Sequence, residues 1–260
     1  MSAFIRNIAR THNLFYLGDL ISTGWGRRDS IINWLAYIIQ MGFYHINIST
    51  IHSFYYGPKR LKQYVNPMVK GLVWYWSFYV LCYIMSGCNI YFVMMYLTFP
   101  MAEGLIFLAG VNWSWHLFTD PNDFNNEFVA SQTLFNGPSN VLNEDYHVVH
   151  HTYPAHHWTK HPQLFIKHKD EYIKNKASVF QGTHAMELFY FGVTCQYEAI
   201  YDKYDKEYLP NMCKQEIIEL IKERIKCTFF DENGNYKQLY IDQVLNQTQQ
   251  ELTHQITKEN

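Results

Sequence analysis

Charge is scarce in this sequence. Asp, Glu, Lys and Arg make up only 17% of its 260 residues, against about 25% in an average soluble domain. None of them falls between Gly71 and Ala102. A net charge of −2 and the lack of any long basic stripe exclude the electrostatic footprint of a nucleic-acid binder. The five cysteines form no CxxC pair, so a disulfide frame is not expected, and they read as reduced, buried or incidental thiols. No apolar core of suitable length follows Arg6 and Arg10, so a secretory signal is not expected. Residues 1–18 hold two Arg and no acid, a composition compatible with a short mitochondrial targeting segment.

Apolar and aromatic residues take the place of the missing charge. Hydrophobic residues make up 48% of the chain, and it carries 21 Tyr, 18 Phe and 7 Trp. Tyr and Trp favour places where one end of the ring is wet and the other apolar, as at a bilayer interface. Between Asp29 and Lys59 there is again no charge, but Gln40, His45, Asn47, Thr50 and His52 interrupt the apolar pattern. An interfacial helix and a poorly hydrophobic span fit this stretch equally.

The run from Gly71 to Ala102 is too long for one simple crossing, which takes about 20 residues. Ser86-Gly87-Cys88-Asn89 offers a turn near its middle, so a helical hairpin is expected, with spans near 69–87 and 90–111. A turn at Pro100–Glu103 is the alternative. Glu103 falls inside the second span, where an acid usually faces protein. Lys59, Arg60, Lys62 and Lys70 precede the hairpin, which by the positive-inside rule assigns that side to cytoplasm or matrix. A hairpin returns the chain to the same side. Beyond His168 the sequence turns soluble in character. Residues 211–226 carry Ile217, Ile218, Leu220, Ile221 and Ile225 among Lys and Glu, as in an amphipathic helix. Asp231–Asn235 reads as a turn, and a Gln-rich helix is expected to follow it. The expected fold class is all-α integral membrane. Its parts are an N-terminal segment (1–30), a membrane domain (31–168) and a soluble helical extension (169–260).

Six of the 13 histidines lie between residues 147 and 161. His147-Val148-Val149-His150-His151 is an HxxHH array, and on a helix positions i, i+3 and i+4 share one face. Three imidazoles could thus converge on a metal, and imidazole suits iron, zinc and copper.

The run Asn143-Glu144-Asp145-Tyr146-His147-Val148-Val149-His150-His151-Thr152-Tyr153-Pro154 resembles the third histidine box of membrane fatty-acid desaturases. Asn112-Trp113-Ser114-Trp115-His116 is similar to the segment that closes the fourth membrane helix of the acyl-CoA members. The resemblance implies that His116, His147, His150 and His151 bind metal and that Asn112 holds a metal-bound water. It also implies a site with two irons and about nine histidines, which activates O2 with electrons from a cytochrome b5-like or ferredoxin donor. Glu144 or Asp145 would accept hydrogen bonds that fix imidazole tautomers.

The first two histidine boxes of the family have no full counterpart. Ahead of His116 there are only His12, His45 and His52. Asp19-Leu20-Ile21-Ser22-Thr23 and Arg28-Asp29 are similar to the stretch that follows a second box in some members, which makes His12 the last histidine of such a box and a weaker fifth ligand. The resemblance then implies a chain that starts in the middle of a desaturase. Three outcomes follow from that ligand count: a non-catalytic accessory or structural subunit of a larger membrane complex; an active di-iron acyl-lipid desaturase or hydroxylase completed by another chain; or a lipid-modifying or lipid-binding protein with a single Zn or Fe. The expected partners are membrane lipids and other membrane subunits, with an electron donor only in the active case. A metal-free site is compatible with the first outcome. The endoplasmic reticulum is the family's usual home, and the acid-free N-terminus points to the mitochondrial inner membrane.

Overall fold

A computed structural model describes residues 27–42, 51, 55, 59–140, 142–231, 233, 235–243 and 246. His12, His45, His52, the 19–23 stretch and most of the Gln-rich tail lie outside the described residues.

The described chain is mostly helical. Its helices are α1 (Ile31–Gln40), α2 (Val65–Met85), α3 (Ile90–Val93), α4 (Phe99–Trp115), α5 (Glu127–Ala130), α6 (His147–Thr152), α7 (His161–Lys167), α8 (Lys169–Lys174), α9 (Ala185–Val193), α10 (Tyr197–Lys203) and α11 (Lys214–Lys226). Two short strands, β1 (Thr133–Phe135) and β2 (Val179–Gln181), pair in parallel, with Leu134 opposite Phe180. This pair departs from the all-α expectation. Three-residue strands inside a helical segment leave no alternation long enough to read from sequence.

The chain divides into two compact units. The described residues of Ala36–Ala109 belong to the first, and those of Ile21–Leu35 and Gly110–Gln247 to the second.

The first unit contains the expected hairpin. A 3-10 turn, Lys59–Tyr64, leads into α2, which ends one residue before Ser86. Gly87 (φ 72°) and Cys88 (φ 61°) take left-handed conformations. The Asn89 side chain caps the return helix by accepting from the N–H groups of Tyr91 and Phe92. The turn therefore sits at Ser86–Asn89, and Pro100–Glu103 lies within helix. Proline has no N–H and its ring crowds the preceding turn. A π-helical turn, Met94–Thr98, stands just before Pro100, and the Phe99 N–H reaches back to the Met94 carbonyl. That wider turn lets the helix continue through a residue that would otherwise break it. Tyr75 and Tyr79 on α2 both donate to the thioether of Met101, which ties the two arms together. The helical stretches Lys62–Met85 (24 residues) and Ile90–Trp115 (26 residues) are long and apolar enough to cross a membrane, and α2 has no buried residue.

The second unit has a core in which Val148 and Val149 of α6 pack with Phe165, Tyr172, Ala177, Val179 and Tyr208. The boundary expected at 168/169 falls inside this cluster. On α11, Ile217, Ile218, Ile221 and Ile225 are buried, the spacing of one helical face. The helix begins at Lys214, where Glu216 accepts from the Cys213 N–H as half of a capping box. At its C-terminal end, the Arg224 carbonyl accepts from the Thr119 N–H and the Ile225 carbonyl from the Arg28 N–H. The Arg28 carbonyl accepts from Trp113 Nε1 at 3.0 Å, and its guanidinium lies 4.4 Å from the centre of that indole. These bonds hold the end of α4, where His116 begins, against the second unit's core.

Candidate metal centre

Two segments carry the site, and one buried residue joins them. Gln132, fully buried, donates its N–H to the Trp115 carbonyl at 2.9 Å and accepts the His147 N–H on its own carbonyl at 3.2 Å. Its side-chain oxygen accepts from the Leu117 N–H at 3.2 Å. The backbone on both sides of His116 is thereby fixed to the first residue of α6. Asn143 adopts φ 54°, a left-handed conformation that Asn tolerates better than most residues. Its carbonyl accepts from Tyr146 N, which sets the start of α6.

His116, His147 and His151 are all buried, and their ligand atoms lie within 4.8 Å of one another. His147 Nε2 is 3.1 Å from His116 Nε2 and 3.1 Å from His151 Nε2. Two nitrogens sharing an ion at about 2.1 Å sit about 3.0–3.4 Å apart, depending on the bond angle, so both separations match ligand pairs on a common ion.

Proton positions support the same reading. The Ala130 carbonyl, 3.1 Å from His116 Nδ1, can only accept, so Nδ1 carries the proton and the neutral ring presents a lone pair at Nε2. Glu127 Oε2 is at ion-pair distance, 3.4 Å, from His151 Nδ1 and accepts from Ser131 Oγ at 3.0 Å. A carboxylate there favours the proton on Nδ1 and again leaves Nε2 as a lone pair. His147 Nε2 has one proton at most to offer two such neighbours. The centre has more inward lone pairs than protons, which suits a cation. His147 is held well below the ordinary histidine range, first by burial and then by the imidazoles of His151, His116 and His150, so it is neutral at pH 7. The Glu144 carbonyl pulls weakly the other way, but no acceptor meets hydrogen-bond geometry at His147 Nδ1.

His150 stands apart. It lies on α6 with its side chain 42% exposed, and its Nδ1 is 3.5 Å from Glu144 Oε2. Its ring is near-parallel to that of His147 at 5.5 Å and 6.3 Å from that of His161. His161 is buried and donates from Nδ1 to the Asn143 carbonyl, while His156 and His157 are exposed. Asn112 is half-buried one helical turn before His116, and its carbonyl accepts the His116 N–H at 3.2 Å. Asp145 takes the indole N–H of Trp115 at 3.2 Å; burial raises its pKa and this hydrogen bond lowers it in part. Glu127 and Gln132 had no signal in the sequence, because neither stands at a recognisable spacing from a histidine.

No curated protein and no solved structure matches this sequence. The model of the fatty acid desaturase family matches residues 11–183, more than half of the chain. That stretch takes in Asn112, His116 and the whole 147–151 array, together with Glu127 and Gln132, and on this match the chain belongs to the fatty acid desaturase family.

Proposed function

We propose that the chain is a membrane-embedded subunit of desaturase type that holds one metal ion on His116, His147 and His151 and does not desaturate lipid by itself. The observation that carries this reading is the pair of 3.1 Å contacts at His147 Nε2 among three buried imidazoles. Three neutral nitrogen ligands leave open positions for water or a further ligand, and Asn112 stands one turn away to hold such a water. Both iron and zinc suit a centre of this composition. A bound ion would supply Lewis acidity, or O2 chemistry if it is iron. The chain's own residues bind the ion, set polar groups at the remote nitrogens of His116 and His151 and keep bulk water away.

Support for the accessory role comes from the ligand number. The described residues bring three imidazoles together, where a two-iron desaturase site uses about nine. Support for membrane placement comes from the two apolar helices of 24 and 26 residues. The partners on this reading are bilayer lipids and other membrane subunits.

The test is elemental analysis of natively purified protein in mild detergent, with His147→Ala beside it. One iron or zinc per chain is expected, and none in the variant. Two irons per chain with lipid turnover would overturn the accessory reading, and a metal-free wild type would remove the centre.

A second reading is favoured by His150, whose half-exposed ring lies outside the trio, 5.5 Å from His147 and 6.3 Å from His161, with Nδ1 beside Glu144. In it another chain supplies the remaining histidines of a two-iron site. A co-purifying subunit that raises iron to two per complex would establish it.

A further inference from the structure

The three imidazoles are held in place by different means. His116 is fixed by the Ala130 carbonyl, and His151 Nδ1 stands 3.4 Å from the Glu127 carboxylate. His147 is central to the trio, yet its Nδ1 has no acceptor in hydrogen-bond geometry. Trp115 takes that role by stacking. The indole lies on the His147 ring with centroids 4.6 Å apart and planes within 21°, the range of favourable stacked aromatic pairs. The indole cannot slide or rotate freely, because Nε1 donates to Asp145 Oδ1 at 3.2 Å. Asp145 is itself tied down, since its carbonyl accepts the Leu134 N–H of β1 at 2.8 Å. The order of constraint runs from the strand to Asp145, from Asp145 to the Trp115 indole, and from the indole to the imidazole of His147.

We propose that Trp115, pinned by Asp145, is a positioning residue that sets the plane of His147 for metal binding. This inference rests on the metal-binding reading above. A ring held only through its Cα–Cβ and Cβ–Cγ bonds has a broad terminal torsion, and rotating it would swing Nε2 away from both neighbours at once. The stack narrows that torsion without using a hydrogen bond. Its effect should therefore appear in the geometry of the bound ion and in affinity together.

The test is titration of full-length, chelator-stripped protein in detergent with Co2+, whose visible bands report the number and arrangement of ligands. Trp115→Leu removes the stack and should weaken Co2+ binding about tenfold, the size expected when a partner that orients a ligand is lost, and should shift the visible bands. Trp115→Phe keeps an aromatic face but loses the Nε1 bond to Asp145, and should recover only part of both, as Asp145→Ala should. Val148→Ala, a core truncation on the same helix, controls for loss of stability alone and should leave the bands unchanged. Should Trp115→Leu not fold, Asp145→Ala carries the test, because it frees the indole while keeping it, and a weaker, shifted spectrum is expected. Wild-type affinity and bands in Trp115→Leu, or in Asp145→Ala if that variant alone folds, would overturn the proposal. So would an equal effect from Val148→Ala. A wild-type protein that takes up no Co2+ would fail earlier, at the metal centre itself, and the two failures are thus distinguishable.

Discussion

The Nε2 atoms of His147 and His151 stand 3.1 Å apart, one turn apart on α6. At 3.6 residues per turn, positions i and i+4 differ by only about 40° around the helix, whereas i+3 and i+4 differ by about 100°. A third imidazole, that of His116 just past the end of α4, can meet the 147/151 pair, while His150 is half exposed beside Glu144.

Single removals should sort accordingly. His116→Ala, His147→Ala and His151→Ala should each lower metal affinity more than about a hundredfold, beyond what loss of an outer partner usually costs. His150→Ala should keep the single ion. Metal content of the purified variants checks this, and an ion lost equally in all four would place His150 in the same centre.

The pairing of His147 and His151 was legible because it rests on local spacing, i and i+4 on α6, whereas the approach of His116, 31 residues earlier, was implied only by the resemblance of Asn112–His116 to a segment of the family. The hairpin was legible for a similar reason, since a charge-free run needs a turn and Ser86–Asn89 supplies the residues for one. The π-helical turn before Pro100 was not legible, as it is a backbone response to the proline and leaves no mark in side-chain pattern. Nor were Gln132, Glu127 or the Trp115–Asp145 bond. Each joins segments that are distant in sequence, and their partners are set by how β1 pairs with the 145–147 stretch. The half-exposed position of His150 beside Glu144 was not legible from spacing, since i and i+3 differ by only about 60° around a helix.

Gln132 gives the second expectation. Replacing it with Leu keeps the volume and both backbone bonds but removes the acceptor for the Leu117 N–H. A buried N–H left without a partner costs about 1–3 kcal/mol. Gln132→Leu should therefore lower the melting temperature in detergent and weaken metal binding, because the same bond fixes the backbone beside His116. A variant that melts like wild type would show that water or a neighbouring group takes over the amide.

Acid should destabilise the metal-stripped protein through His147. Its pKa in the folded chain lies well below the ordinary value, while in the unfolded chain it returns to about 6.5. Between those two values the unfolded state binds more protons, so stability is fully present above about pH 6.5 and falls as pH drops toward the folded pKa. One such group contributes at most about 1.4 kcal/mol per pH unit. Melting curves taken from neutral to mildly acidic pH should show this slope, and His147→Gln should lack that share of it. Superimposable profiles for the two proteins would rule out His147 as the source.

The hairpin makes a prediction about sidedness that native thiols can read. Cys88 is exposed at the Ser86–Asn89 turn, and Cys213 is exposed just before α11. If α2 and the helix from Ile90 to Trp115 each cross the bilayer, the turn emerges on the face opposite the basic residues 59–70, and the chain after α4 returns to the basic side. A membrane-impermeant maleimide added to sealed vesicles should then label only one of these two cysteines, and permeabilisation should expose the other. Mass spectrometry of the labelled peptides separates them from Cys195, which is also exposed. An interfacial hairpin lying along one face would give a different result, with Cys88 and Cys213 reacting together before any permeabilisation. The apolar surface of α2 would then be covered by a single leaflet or by another subunit. The 24- and 26-residue lengths argue for the crossing, since about 20 residues already span the hydrocarbon core. A helix lying in the interface needs only one apolar face, whereas α2 has no buried residue and exposes Val73, Trp74, Tyr75 and Trp76, which successive steps of about 100° place all round it.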